Sequence, residues 1–360
     1  MTSGLRSGLA TQWCAADEET YGVVPSLTGA PFYIWDSDSL ALAKTTKQST
    51  GIYAGAQYPT ASRRVVTQYS ATGATTGDLA QRGLNPWLYR MLGSYGQAAA
   101  ALTEDATTGA YKAVHAPGAL DGHSFSLQAG APTVDTGTVE PFTYSGCKVA
   151  DWTLTATEGD IVKLALTIQA RNELSGTWTD PLNASVPALA DYDEPPGGVF
   201  HWVGAQIIVG GTPSTSGGVT TVSSGVVAGN IKGPFSVKQT AALDLTRYAP
   251  DVAPFRNEPV EDGLRATTGQ FVVEWLSTDT SYAAYQEDTA TSIAYQFTGP
   301  AIGTGADVAS LEVLVPNIRI DSAPVPRSGP AVLTETVSWT ALRDGVNNPV
   351  QFTYYTLDSQ

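Results

Sequence analysis

Cysteine is nearly absent: Cys14 and Cys147 are the only two in 360 residues, far apart and outside any C-x-x-C spacing. That excludes a disulfide-stapled scaffold and a cysteine metal site, and it suits a reducing compartment. Charge is sparse, at 15% of residues, and bases are the scarcer sign, 19 Lys and Arg against 34 Asp and Glu. The formal net charge of −15 excludes general attraction to a phosphate backbone, and Lys and Arg cluster nowhere beyond Arg63-Arg64. No apolar run reaches the roughly 18 residues of a membrane helix. The first residues hold no apolar core of signal-peptide length, so the expectation is a protein made in the cytosol and kept out of membranes.

Catalytic signatures are missing as well. No Walker A loop, HExxH, G-x-S-x-G or strand-following GxGxxG occurs. His115, His123 and His201 have no Cys/His company and read as polar surface or satisfied core histidines. The densest carboxylate group, Asp191-Tyr192-Asp193-Glu194, runs into Pro195-Pro196, which forbids an EF-hand-like loop. It reads as a solvated loop, with a weak calcium site or a glycosidase-type pair as alternatives. The expectation is no enzyme, no resident metal and no cofactor.

What is abundant is turn chemistry: Gly (36) and Pro (22) among many small polar residues, which favours a turn-rich, mainly β architecture. The chain is long enough for two modest domains or one elaborate one. Its clearest pattern is the stretch Gly146–Arg171. There Ala150, Trp152, Leu154 and Ala156 alternate with Asp151, Thr153, Thr155 and Thr157. Past the turn signal Glu158-Gly159-Asp160, Val162, Leu164, Leu166, Ile168 and Ala170 share one face. Two amphipathic strands are predicted, longer than the usual five or six residues, with one buried face and one threonine-rich face.

Residues 1–30 read as an extended arm whose Trp13 and Tyr21 need a surface to dock on, such as a neighbouring subunit. Phe32–Trp35 opens a strand running through Ser39–Leu42. Residues 45–61 read as a long functional loop displaying Tyr53 and Tyr58. Arg63–Tyr69 is a strand, with Ala71-Thr72-Gly73 turning after it. Asn85, Pro86 and Gly93 bracket a short helix as cap, first residue and stop. Further strands are expected at 123–129, 203–209, 234–240, 267–276, 291–298, 310–320, 332–340 and 350–356. A helical turn is expected at 280–287, capped by Thr280 or Ser281, and loose Pro/Gly/Ser/Thr connections fill much of 176–232. Both halves follow one element order, so a duplication is expected: an arm at 1–30, one β unit at 31–175 and a second at 176–360.

Phe142-Thr143-Tyr144-Ser145-Gly146-Cys147-Lys148-Val149, followed by two amphipathic strands, resembles the "TGCKV" segment of the major tail tube proteins of long, non-contractile-tailed bacteriophages (the siphovirus type). Gly8–Trp13 with Glu18-Glu19-Thr20-Tyr21-Gly22 is similar to that family's N-terminal arm. Pro259-Val260 with Gly263-Leu264-Arg265 is similar to its mid-chain block, and Leu311–Ile320 with Ala341–Gly345 to its closing strands. The resemblance covers nearly the whole chain. It implies a tail-tube β-sandwich or partial barrel with short flanking helices, and subunits forming rings that stack into a hollow tube. It implies a hexamer, or a pseudo-hexameric trimer if the chain is duplicated. It further implies transient passage of DNA during ejection, tape measure and tail terminator or tip proteins as partners, a place in the virion tail, and assembly in the host cytoplasm. Trp13, Tyr21, Tyr53, Tyr58, Arg63 and Arg64 are the expected interface residues, the arginine pair lying off the DNA path. The bore is expected to be net negative. The rival reading is a carbohydrate-binding β-sandwich on a virion or cell surface, with Tyr53, Tyr58 and Tyr192 as its exposed aromatics.

Overall fold

The computed structural model describes residues 8, 11–27, 30–55, 57–93, 103–105, 109–134, 139–174, 198–248, 254–276, 281–302, 307–325, 327, 330 and 332–357. The carboxylate group at 191–194 and the candidate cap Thr280 lie outside them. The elements begin with β1 (Gln12–Asp17), β2 (Phe32–Tyr33), β3 (Ser37–Asp38), β4 (Ala41–Gln48), β5 (Arg64–Asp78) and helix α1 (Asn85–Leu92). β6 (Thr103–Asp105), β7 (Ala110–His115), β8 (Phe125–Pro132), β9 (Val139–Ala156), β10 (Lys163–Ala170) and β11 (Asn172–Leu174) follow. Then come β12 (Ala205–Val209), β13 (Thr212–Ser216), β14 (Val219–Ser223), β15 (Val226–Val227), β16 (Phe235–Thr240) and β17 (Ala266–Glu274). Helix α2 (Ser281–Glu287), β18 (Thr291–Ala301), β19 (Val308–Ser322), β20 (Thr334–Ala341) and β21 (Gln351–Thr356) complete the chain. The protein is mainly β, with two short helices, and among the described residues its antiparallel sheet does not close into a barrel.

The amphipathic ribbon forms as its alternation dictates. β9 and β10 pair with Leu154 opposite Leu164 and Trp152 opposite Leu166. Trp152, Leu154, Ala156, Leu164, Leu166, Ile168 and Ala170 are all buried. Their face meets a second layer of strands: Trp152 packs edge-on against Phe352 of β21, and Phe235 of β16 stacks on Tyr295 of β18. Trp339 of β20 donates its indole N–H to the Tyr295 hydroxyl at 3.0 Å, so both buried polar tips are satisfied. Helix α1 lays Trp87, Leu88, Met91 and Leu92 into the same core, with Trp87 edge-on to Trp35 and Phe125.

Local corrections to the sequence reading have physical causes. No turn follows Tyr69. β5 runs straight through Ala71-Thr72-Gly73, and Gly73 is needed because a Cβ there would collide with the Leu40 backbone. β4 extends to Gln48, so the long loop begins at 49. Asn85 does not cap α1: Leu84 holds the cap position, and Asn85 pairs its side chain with His115 Nε2 at 2.8 Å. Gly93 does end the helix, in the left-handed region. Within the stretch read as loose connections, Gly217 and Gly218, with φ of 59° and 80°, turn the β13–β14 hairpin.

The pairing pattern occurs twice. β4, β5, β10 and β9 are consecutive neighbours, and so are β16, β17, β20 and β19. β8 and then β1 extend β9, as β18 and then β12 extend β19. β11 flanks β9 as β21 flanks β19. β16 joins the two series by pairing with β9, from Phe235 opposite Ala156 to Thr240 opposite Asp151. The result is a run of eight strands, β4-β5-β10-β9-β16-β17-β20-β19.

Candidate assembly surfaces

Three parts of this architecture bear on assembly: an internal seam, a polar sheet face and a projecting hairpin. The seam is where the loop between β16 and β17 crosses β9. Lys148 is buried there, its ammonium donating to Glu258 Oε1 at 2.6 Å and to the carbonyls of Leu120 and Pro259. Desolvation holds the Lys148 pKa below the ordinary lysine value, partly offset by Glu258. Arg265 reaches the carbonyls of Leu92 and Gly118, and Arg256 that of Ala170.

Next to the seam, the buried carboxylate of Glu18 accepts from the Gly22 and Gly146 amides and from the Ser124 and Ser126 hydroxyls. Gly146 has φ of 61°, and a Cβ there would meet the Tyr21 ring at 2.9 Å. Cys147 is buried, and burial raises its thiol pKa far above the ordinary value, so it is a packing residue. Three of the segments that suggested a family in the sequence, around Glu18–Gly22, Gly146–Lys148 and Pro259, therefore meet at one spot.

The second part is the face of the eight-strand run that points away from the core. Thr153, Thr155, Thr167, Ser236, Thr268, Thr336, Ser338 and Thr340 lie on it, all at least partly exposed. Its charges are Asp78, Asp151, Glu274 and Asp321 against Lys47, Lys163, Lys238 and Arg319, so the two signs balance. Lys163 is held between Asp36 and Asp78, whose hydrogen bonds raise its pKa. This face is polar, near neutral and has little to hold a polyanion.

The third part is the β4–β5 hairpin, whose described residues from Ala43 through Thr67 are all exposed except the half-buried Thr60. Tyr53, Tyr58, Arg63 and Arg64 come together on it, with Ile52 beside them at 97% exposure. Thr60 donates to the Tyr53 hydroxyl at 3.3 Å, and Arg64 to Thr46 Oγ1 at 3.4 Å. No Asp or Glu occurs between Asp38 and Asp78, while Lys44, Lys47, Arg63 and Arg64 do, so the hairpin is wholly basic on an acidic protein. The base of the hairpin is fastened: the Tyr69 amide donates to the Pro254 carbonyl at 2.6 Å and its ring packs on Phe255.

Trp13 and Tyr21 are not with these residues. Trp13 lies in β1, opposite Tyr33 and Ala129, and packs half-buried against its own chain's core. Gln12–Asp17 is thus a strand of the sheet, where the sequence suggested an arm. Tyr21 sits against Gly146 and the Arg171 guanidinium, and burial pushes its phenol up to about 12. Sequence reasoning missed Glu18, Lys148 and Glu258, because nothing in a Gly-Cys-Lys string says that the lysine turns inward. The acid-free stretch was open to view and went unused.

Over residues 8–341 the chain matches the family described as phage tail tube protein. No curated protein sequence matches it.

Proposed function

Because the chain belongs to the phage tail tube protein family, a structural family that self-assembles into the tube of the virion tail and is not an enzyme class, we propose that its copies close into rings that stack around a DNA-conducting bore. The observation that carries this reading is the eight-strand run, which from the C-terminal half of β5 across to β19 has one face sealed by the core and the other polar. A wall needs one dry side and one wet side, and this sheet has both. The wet face has threonine and serine hydroxyls to order water, and its balanced charges give DNA little to grip.

The repeated pairing pattern supports two tail-tube units in one chain, residues 31–175 and 176–360, and hence a ring of three copies with pseudo-sixfold symmetry. The 49–63 loop, with Tyr53 and Tyr58, supplies ring-to-ring contacts, and Arg63 and Arg64 lie in a subunit contact away from the bore. Tape measure protein fills the tube before ejection, and terminator and tip proteins finish its ends.

Electron microscopy of the purified protein, with averaging of end-on views, tests the reading. Rings or tubes with threefold symmetry are expected. Dispersed monomers that bind glycans would replace it with a carbohydrate-binding role.

A further inference from the structure

The eight-strand run ends in two unpaired edges, β4 on one side and, on the other, the C-terminal half of β19. Among the described residues, β4 pairs only with β5. The edge of β19 that carries β18 as far as Ile318 has, among the described residues, no partner beyond it. Their counterparts inside the chain, β16 and β9, are paired with each other. We propose that β4 of one copy adds to the open edge of β19 on the next, in the register that β16 and β9 already show. This rests on the ring reading above and names the surfaces that close the ring.

The equivalence is fixed residue by residue. β10 and β20 are both eight residues long, and Lys163 lies opposite Asp78 as Thr334 lies opposite Glu274. The same alignment superposes Thr72-Gly73 on Thr268-Gly269, a glycine in each case because a neighbour fills the Cβ position. One extra residue bulges out of β9 at Ala150 and out of β19 at Asp321, in matching places. Carried through these pairs, Ala43 stands for Thr240 and Ser322 for Asp151, so Ala43 of one copy faces Ser322 of the next. Likewise Leu40 faces Val325 and Ala41 faces Pro324.

Proline is the sharpest check on this register, because it has no N–H to give a partner strand. The Ala241 amide donates to the Ala150 carbonyl, which makes Thr240–Asp151 and Lys238–Thr153 non-hydrogen-bonded pairs. Pro324 takes the place of Thr153. Its missing N–H therefore points away from the incoming strand, and the proposed ladder loses nothing.

Charge favours the same partner. The basic hairpin that continues β4 needs an acidic surface, and the open edge of β19 has exposed Asp321 on it and Asp288 beside Arg319. The contact is head to tail, since β4 meets β19 and never another β4.

The test is the full chain with Ala43→Cys and Ser322→Cys together, oxidised after assembly and run on a non-reducing gel. Facing non-hydrogen-bonded residues are within disulfide reach, and both native cysteines are buried. Both sites are outside the core, and electron microscopy of the same sample reports whether rings form. A ladder of covalent multimers holding most of the protein, absent from each single variant, is expected. Rings without the ladder would overturn the proposed register and leave the ring reading standing. Dimers from Ala43→Cys alone or Ser322→Cys alone would show like edges pairing and overturn it too. Failure of both the unmodified chain and the double variant to form rings would remove the ring reading, and the proposal with it.

Discussion

Lys148 shows what one residue can do that its neighbours in sequence do not disclose. Its ammonium is buried, and Glu258 is the only carboxylate within ion-pair distance of it among the described residues. Removing one partner of such a pair leaves an uncompensated buried charge, which costs roughly 3–5 kcal/mol. Glu258→Gln is therefore expected to lower the unfolding free energy by about 3 kcal/mol, read from the urea midpoint. An unchanged midpoint would mean that the carbonyls of Leu120 and Pro259 suffice. His115 makes a second residue-scale prediction. It is fully buried, Nε2 bonds Asn85, and desolvation pushes its pKa down to about 4. The unfolded chain, with an ordinary histidine near 6.5, binds the proton more readily. Stability from this site is full above pH 6.5 and falls as the pH drops toward 4, by about 3 kcal/mol in total. His115→Gln should flatten that part of the stability profile, and a slope that survives the substitution would assign it elsewhere. Trp13 belongs with them: packed on its own core, Trp13→Ala should lower the monomer's melting temperature whether or not the protein assembles, for a loss of roughly 2 kcal/mol.

At the scale of elements, periodicity was enough for β9, β10 and the long strands from β16 onward, because alternate burial leaves a period-two trace that only one register satisfies. It failed where the backbone itself makes the contact. Gly73 looks like a turn residue in a string and is a close-approach residue in the sheet. The β4–β5 hairpin was half legible: its tyrosines were noticed, but strands without a buried face have no alternation to read, so the second half of β4 was taken for loop. This hairpin is the element on which assembly is expected to depend. Deleting about eight residues between 49 and 60 touches no buried side chain among the described residues and should leave a β-rich chain that no longer polymerises. Arg63→Glu with Arg64→Glu should weaken assembly without lowering the melting temperature of the monomer. Normal tubes from both variants would take the hairpin out of the assembly path.

For the whole molecule, the fold class was readable because composition and turn chemistry leave few alternatives to an antiparallel β protein. The family resemblance was readable because its motif residues do local jobs that keep their order: Gly146 yields to Tyr21, Glu18 ties down the strands around it, and Pro259 receives Lys148. The pairing of β16 with β9 was not readable, since it joins residues some eighty positions apart through unremarkable threonines. The polar face carries a prediction at this scale. Thr153→Lys with Thr336→Lys changes the wet face without touching the core, and repeated in every ring it lays a basic ladder along the bore. Tubes of this variant should retain short duplex DNA at low salt and release it as salt rises, while unmodified tubes should not bind it. Equal binding by both would show that this face does not line the bore.

The unpaired edges have one more consequence. A body with complementary ends is a polymer in waiting: each addition exposes a fresh end identical to the one it covered, and growth stops only when the last end meets the first. What decides between a closed loop and a runaway fibre is the angle that each copy turns through, and the twist and bulges of its eight strands set that angle. In the proposed ring, the width of the bore is then a property of a single chain, written in its curvature and needing no mould. The bulge at Ala150 sits where the two four-strand groups of the chain meet, and the bulge at Asp321 sits where the proposed contact between copies falls. Straightening either one should change the arc, giving rings of another size or filaments that never close.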